Sequence, residues 1–397
     1  MPKLFWANLY CLLDCSSGAS ISAREQLRAL AEQGFDVRIL GATVFDDEGG
    51  SAALGKVWDR IRTQPGRLVT MDDGDLTHEL LITGSTRRGE VRAMEEAAWF
   101  GCYRKILESW RPDIVYFYGG QPFDYLIADE ARHAGAKVAF YLVNGNYHTD
   151  RWHRDVDLVV TDTRATADLY AKRLGIAAEP VGTFIDARRV VGALHDHRHL
   201  LFVSPSFAKG GALVARLAIL MESRRPHIKF EIVRGRGDWD EMLGHAFRSH
   251  DEPPHVLSNV VVTPHSADMR PVYRRARLLL APSLWWESGS RVIIEALMNG
   301  IPAIVTAHGG SPEVQGGAGP QIGLPDTLHA APYQRLPTDE ALLPLIEEIE
   351  RLYDDEEAYQ AVSRQALQVA ARDHDMHNNA SGLASIMRAL IGDESAS

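Results

Sequence analysis

The feature that most constrains the fold is an alternation of short apolar runs with amphipathic helical segments, which occurs twice along the chain. In the first half, "KLFWANLYCLL", "DIVYFYG" and "LVVTD" predict buried strands with helices between them. The pattern restarts at "HLLFVSP" and continues through "ARLLLAP" and "AIVTA". Such alternation produces parallel sheets covered on both faces. We therefore predict an α/β protein of two Rossmann-like doubly wound domains facing across a cleft.

The boundary between the two predicted domains lies in the polar, basic stretch "DARRVVGALHDHRH". We predict an N-terminal domain over residues 1–190 and a C-terminal domain over residues 191–375. A last amphipathic helix within residues 376–397 is predicted to cross back to the N-terminal domain. Residues 43–90 are less regular and predict an insertion that contains a hairpin around Asp73-Gly74.

The N-terminal stretch predicts a first strand from Lys3 to Leu12 and then a helix. Ser20 or Ser22 is the expected N-cap of that helix, and Gly34 is its expected end. A weak signal peptide is the alternative interpretation of the same apolar run, but Asn8 interrupts it. We favour the buried strand.

Composition excludes several classes of function. The formal net charge of −11 argues against a general nucleic-acid binder, which would carry a basic stripe. The three cysteines form no CxxC pair, so reduced thiols and a cytoplasmic location fit better than a disulfide framework. No apolar run reaches the roughly 20 residues of a transmembrane helix, which leaves only peripheral membrane contact open.

The stretch "ESGSRVIIE" places two carboxylates at a predicted junction between a strand and a helix. If the helix begins near Ser290, its first backbone amides and Arg291 can hold phosphate groups, and Gly289 permits close approach. Glu287 would then lie at a sugar and Glu295 at a ribose diol. The spacing alone is more typical of a solvated loop glutamate and a glutamate that favours the helix dipole.

The wider segment "APSLWWESGSRVIIEALMNGIPAIVTAHGGSPEV" resembles the donor-binding segment of glycosyltransferase family 4, the large retaining family with the GT-B fold. The signature is a glutamate, seven residues and a second glutamate, followed by an "EA", "GxP" and "GGxPE" pattern. The positions that match are Glu287, Glu295, Ala296, Gly300, Pro302, Gly309, Gly310 and Glu313. The resemblance implies a donor domain at residues 191–375 and an acceptor-side domain at residues 1–190.

The loop "FVSPSFAKGG" resembles the family segment whose lysine contacts the donor diphosphate, so the resemblance gives that role to Lys209. The family often has an arginine about five residues earlier, where this chain has Ser204 and Pro205. Arg291, Arg234 or Arg236 could replace that cation.

The N-terminal half departs further from the family. Asn144 stands where many relatives carry a histidine near the sugar, and His148 follows four residues later. Asn144 is expected to bond a sugar hydroxyl or carbonyl, and His148 is a general base, a hydrogen-bond donor or only a loop residue. Gly18 lies in a turn expected to face the acceptor or phosphate side, unless the turn is purely structural.

Metal-like patterns are given a structural interpretation. His195, His197 and His199 alternate as metal ligands sometimes do, but we favour a solvated linker between the domains. The Asp-x-Asp patterns in "DDGD" and "RDVD" lack the single-domain context of the metal-dependent glycosyltransferase fold. We predict no metal site and no cofactor.

The resemblance implies a retaining glycosyltransferase that takes a UDP-, GDP- or other nucleoside-diphosphate sugar. The acceptor stays open between a glycan, a lipid-linked sugar, a natural product and a protein, with Gln121, Asp124 and residues 43–90 as candidate determinants. A sugar-nucleotide epimerase and a catalytically silent binding module on the same fold remain alternatives.

Overall fold

The chain divides into two compact units in a computed structural model that describes residues 1–193 and 195–393. One unit comprises Met1–Phe184 with Met376–Ser397, and the other comprises Ile185–Asp375. The division falls between residues 184 and 185 rather than between 190 and 191, because Ile185 and Val190 pack into the core of the second unit.

The first unit is built on a sheet in the order β3-β4-β2-β1-β5-β6-β7-β8. The strands are β1 (Lys3–Ala7), β2 (Asp36–Ala42), β3 (Leu68–Asp73), β4 (Leu76–Leu81), β5 (Ile114–Phe117), β6 (Lys137–Leu142), β7 (Leu158–Thr161) and β8 (Glu179–Pro180). The helices are α1 (Gly18–Glu32), α2 (Gly55–Ile61), α3 (Ala93–Trp110), α4 (Pro122–His133) and α5 (Arg164–Leu174). All neighbouring strands run parallel except β3 and β4. That antiparallel pair turns at Gly74, whose φ is 65°, so the predicted hairpin is confirmed.

Side chains of β1 show why this sheet is covered on both faces. Phe5 packs in a core with α3 and α4, whereas Leu4 and Trp6 pack in a second core with α1. Successive residues of a strand point to opposite faces, so a strand buried on both sides must be apolar throughout.

The N-terminal elements are shorter than predicted. β1 ends at Ala7, because the side chain of Asn8 turns inward and donates to the carbonyl of Tyr118 at 2.5 Å. The N-cap of α1 is Ser17 rather than Ser20 or Ser22, and its hydroxyl accepts a hydrogen bond from the backbone amide of Ser20 at 3.3 Å.

The second unit has a parallel sheet in the order β11-β10-β9-β12-β13-β14. The strands are β9 (His199–Val203), β10 (Phe230–Val233), β11 (Val260–Thr263), β12 (Ala276–Ala281), β13 (Ala303–Thr306) and β14 (Gln321–Ile322). The helices are α6 (Ala187–Val190), α7 (Gly211–Arg224), α8 (Trp239–Arg248), α9 (Arg270–Tyr273), α10 (Arg291–Met298), α11 (Ser311–Gln315), α12 (Asp339–Asp354) and α13 (Glu356–Asp373). Leu200 and Phe202 face one core and Leu201 faces the other, so the predicted doubly wound architecture is confirmed in both units.

The chain returns to the first unit through α14 (Met376–Leu390). Leu383 and Met387 of this helix are fully buried in the same core as Leu27 of α1. Asn379 also donates a hydrogen bond to the carbonyl of Thr183 at 3.1 Å. The last helix therefore completes the cover over one face of the first sheet.

Candidate functional site

Two loops at the carboxyl ends of neighbouring strands form the candidate site of the second unit. One loop follows β9 and carries Lys209, and the other follows β12 and carries Glu287. The carboxyl ends of parallel strands at the same edge of a sheet are where ligands bind in such folds. Backbone bonds join the loops, because the amides of Leu284 and Trp285 both donate to the carbonyl of Ala208, at 2.9 and 3.2 Å.

Lys209 and Glu287 meet directly. The lysine ammonium donates a hydrogen bond to Oε1 of Glu287, and the hydroxyl of Ser283 donates to the same oxygen at 2.8 Å. Burial raises the pKa of Glu287, but the charge and hydrogen bond of Lys209 outweigh burial and hold the pKa below its usual value. The carboxylate is therefore ionised at neutral pH although Glu287 is only 6% exposed.

Glycines allow close packing of backbone segments around the two loops that carry these side chains. Gly210 has φ of 79°, and a Cβ there would lie 2.2 Å from the carbonyl oxygen of Pro282. Gly309 has φ of 66°, and a Cβ there would lie 2.9 Å from the carbonyl oxygen of Glu287. That carbonyl accepts a hydrogen bond from the amide of Gly310 at 2.7 Å. The glycine pair therefore packs against the backbone of Glu287.

α10 begins where the sequence predicts. Arg291 is its first residue, and Ser290 is the N-cap, whose hydroxyl makes no capping hydrogen bond. The first amides of a helix have no partner within the helix and attract anions. Gly289 is half-buried immediately before the cap. The segment predicted to hold phosphate, which comprises Gly289, Ser290 and the first turn of α10, begins two residues after Glu287.

Glu295 lies inside α10 and has two neighbours. Its Oε2 accepts a hydrogen bond from the hydroxyl of Tyr273 at 2.7 Å, and its Oε1 lies 3.3 Å from Nη2 of Arg291. Arg291 is thus engaged with Glu295 in the free protein. Both partners keep the Glu295 carboxylate in one orientation.

The other arginines considered for phosphate binding follow β10. Arg234 and Arg236 are exposed in a turn beside Ser204, which has a positive φ of 63°. A Cβ at Gly235 would lie 2.2 Å from the hydroxyl of Ser204, so this turn packs against the loop that leads to Lys209. The exposed arginines therefore lie in the loop after β10, the strand next to β9, at the same edge of the sheet.

The candidates of the first unit occupy separate loops. Gly18 is the exposed first residue of α1, and no atom lies within 4 Å of where its Cβ would be. Asn144 follows β6, and its side-chain oxygen accepts the backbone amide of Asn146 at 2.9 Å. That bond forms a local turn, which is a use of Asn144 that the sequence interpretation did not include. His148 is exposed in the same loop.

Asp124 is buried at the start of α4. It accepts the amide of Gln121 at 2.9 Å, and burial raises its pKa to about 6. A Cβ at Gly119, whose φ is 128°, would lie 2.3 Å from Oδ2 of Asp124. Asp124 therefore caps α4 and holds the loop after β5. This structural function accounts for a side chain that the sequence suggested as a determinant of acceptor specificity.

The patterns that resemble metal ligands serve other contacts. Asp73 of "DDGD" forms ion pairs with Arg28 at 3.0 Å and Arg24 at 3.7 Å, which attach the hairpin to α1. His197 bonds the hydroxyl of Tyr359 at 2.7 Å, and His199 lies 2.7 Å from Glu231. Within residues 1–193 and 195–393, no group of three or more acidic, histidine or cysteine side chains could hold a metal ion.

Residues 198–331, which contain Lys209, Glu287 and Glu295, match the family model described as Glycosyl transferases group 1. This stretch carries a group 1 glycosyltransferase domain. A search of curated proteins found no significant match for the chain.

Solved structures extend the likeness of the glycosyltransferase domain to the whole fold. Sucrose-phosphate synthase from Thermosynechococcus elongatus is 14% identical with a TM-score of 0.67, and 98% of each chain is covered. HepE from Anabaena in complex with UDP is 15% identical with a TM-score of 0.67, covering 98% of this chain and 100% of HepE. The pneumococcal O-GlcNAc transferase GtfA with UDP and GlcNAc is 12% identical with a TM-score of 0.68, and 99% of each chain is covered. The chain therefore has the GT-B fold.

Three contributors to the glycosyltransferase domain were missed in the sequence. Ser283 and Tyr273, which bond Glu287 and Glu295, lie in apolar contexts typical of core residues. His329 bonds the carbonyl of Leu284 at 2.9 Å from a segment 45 residues away. No helix among the described residues is long and apolar enough to cross a membrane.

Proposed function

We propose that this protein is a retaining glycosyltransferase that moves a sugar from a nucleoside-diphosphate sugar to an acceptor hydroxyl without a metal ion. The observation that carries the proposal is the ion pair of Lys209 and buried Glu287, immediately before the N-terminus of α10. A cation and the first backbone amides of a helix stabilise a departing diphosphate. A carboxylate supports the positive charge that develops on the sugar. The resemblance to glycosyltransferase family 4 supports retention.

The roles of the donor residues follow from their contacts. Lys209 has three N–H donors, so it can bond Glu287 and a phosphate oxygen together. Without a donor substrate, Glu287 neutralises the lysine charge. Gly289 and Ser290 would receive the diphosphate at the first turn of α10, with Arg291 or Arg236 as further cations. Glu295 would accept hydrogen bonds from the ribose diol.

We assign the acceptor side to the first unit. Gly18 would leave open space for the acceptor or a phosphate at the start of α1, and Asn144 and His148 would contact the reacting sugar or hydroxyl. His148 is the candidate base in this loop, since a histidine can accept a proton near neutral pH. An assay with a panel of acceptors identifies the acceptor class. The candidates are a glycan, a lipid-linked sugar, a natural product and a protein.

UDP-sugars are the first donors to test, because HepE and GtfA were solved with UDP. GDP-sugars and other nucleoside-diphosphate sugars complete the panel. We propose that no cofactor is required. We also propose a cytoplasmic location, since the three free thiols at Cys11, Cys15 and Cys102 suit a reducing compartment.

The deciding experiment incubates the purified protein with each sugar nucleotide and a set of acceptors, with EDTA present throughout. Release of free nucleoside diphosphate together with a glycosylated product supports the proposal. NMR of the product then gives the anomeric configuration, and inversion would rule out a retaining reaction. Interconversion of sugar nucleotides without release would identify an epimerase. Binding without any turnover across the panel would identify a silent module.

A further inference from the structure

A short segment after β14 reaches back over the loop of Glu287. A turn of 3₁₀ helix covers Asp326–Leu328, and we call this turn with His329 the strap. Leu328 is buried and anchors the strap, while Nδ1 of His329 lies 2.9 Å from the carbonyl oxygen of Leu284. A carbonyl can only accept, so Nδ1 must carry the proton of that hydrogen bond.

The peptide of Leu284 connects the strap to both loops of the candidate site. Its carbonyl accepts from His329, while its amide donates to the carbonyl of Ala208 at 2.9 Å. Ala208 immediately precedes Lys209, and Leu284 lies three residues before Glu287. Leu284 therefore links the strap to the backbones of both loops that carry the ion pair, and the amide of Trp285 adds a second bond between those loops.

A second contact holds the strap in place. The rings of His329 and His308 stack with centroids 3.8 Å apart and an interplanar angle of 18°. His308 meets the ring of Trp286 edge-on at 5.3 Å, directly beside Glu287. Burial, with the neighbouring His329, lowers the pKa of His308 to about 4, although Asp326 opposes that shift. His308 is therefore neutral at physiological pH and does not repel its partner.

We propose that His329 is a positioning residue. Through its hydrogen bond to the carbonyl of Leu284, it fixes the position of the Glu287 loop relative to Lys209. The inference rests on the proposed function, because its effect is exerted on the donor site. His329 does not contact the reacting groups. It acts by limiting how far the Glu287 loop can move while a sugar cation develops.

The consequence differs for the two members of the ion pair. A lysine reaches a phosphate through a flexible stem of four carbons, so nucleotide binding tolerates small shifts of the backbone. A carboxylate that stabilises a transition state must be placed within a fraction of an ångström, because small displacements cost rate. Loss of the strap contact should therefore lower kcat while the affinity for UDP stays nearly constant.

Three substitutions separate the hydrogen bond from the stacking. His329→Ala removes both, His329→Phe keeps a ring against His308 but has no donor, and His329→Asn places an N–H donor near the position of Nδ1. We expect kcat to fall about tenfold for the Ala and Phe variants, which corresponds to about 1.4 kcal/mol. We expect Asn to restore kcat to within about threefold of wild type. His227→Ala, at an exposed histidine of the same unit, serves as the control.

The measurement combines steady-state kinetics with calorimetric titration of UDP on each variant. The titration gives the fraction of folded sites, so a variant that is merely unstable is recognised by its lowered stoichiometry. The inference is supported if kcat falls at full stoichiometry with UDP affinity within about twofold. Unchanged kcat in His329→Ala, or no rescue by Asn, overturns it and leaves the proposed function intact. A wild-type protein that uses no sugar nucleotide overturns both.

Discussion

The ammonium of Lys209 is hydrogen-bonded to Oε1 of Glu287 across 78 residues of chain. The contact exists because β9 and β12, which precede the two loops, are neighbours in the sheet. It keeps a buried carboxylate ionised and leaves the lysine half-exposed. Removal of one partner leaves the other charge without its counter-charge, which destabilises the folded protein. Variants of this pair are therefore compared as folded proteins.

Lys209→Ala should weaken the binding of nucleoside diphosphate, because the variant loses a cation at a partly desolvated anion site. Loss of a charged hydrogen bond of this kind costs about 1.5–3 kcal/mol, or roughly 10- to 150-fold in affinity. Calorimetric titration with UDP measures the effect, and Lys172→Ala, at an exposed lysine of the first unit, is the matched control. Equal affinity in Lys209→Ala and wild type would remove Lys209 from the donor site.

Glu287→Gln should mainly lower kcat. The amide keeps the shape of the side chain and a hydrogen bond with Ser283 but has no charge beside the developing sugar cation. Electrostatic contacts of this type contribute about 10²-fold or more in rate. Affinity for sugar-free UDP should stay within about threefold of wild type. If kcat hardly changes in the folded variant, the carboxylate has no catalytic role.

Tyr273→Phe should raise the KM for the sugar nucleotide and leave kcat nearly unchanged. The substitution removes the hydroxyl that orients Glu295 at 2.7 Å while the ring stays in the core. Loss of one hydrogen bond costs about 0.5–1.5 kcal/mol, or about 2- to 12-fold in binding. Glu295→Ala should show a larger rise in KM of the same type. A fall in kcat without a change in KM would contradict the assignment of Glu295 to the ribose.

Turnover should survive an excess of EDTA, since in the proposed mechanism Lys209 and the helix amides would take the place that a metal ion has in other transferases. Activity with and without chelator is compared on protein dialysed against EDTA. Complete loss that added Mg²⁺ or Mn²⁺ restores would instead indicate a metal-dependent reaction.

Acidification should destabilise the first unit through His78, which is fully buried in β4. Burial lowers the pKa of His78, and the nearby Asp73 opposes that shift only in part. The unfolded chain therefore binds the proton first, and stability present above pH 6.5 is lost as the pH falls toward the folded pKa. The difference in Tm between pH 7.5 and pH 5.5 should be smaller in His78→Gln than in wild type. An identical pH dependence in both proteins would show that His78 does not contribute.

Periodicity in the sequence alone was enough to predict the fold class and most strands. Apolar runs such as those of β9 and β12 can only be buried on both faces, which requires a doubly wound parallel sheet. The start of α10 was equally predictable, since Gly289 and Ser290 interrupt the apolar pattern there. Strand burial and helix starts depend on the chemistry of consecutive residues, so they can be predicted from the sequence.

Tertiary structure alone decided which side chains meet. The bond between Lys209 and Glu287, the hydroxyl of Tyr273 on Glu295 and the reach of His329 to Leu284 join residues 22 to 78 positions apart. Sheet order determines these contacts, because it sets which loops leave the same edge side by side. A periodic pattern records that a strand is buried, but carries no information about its neighbours.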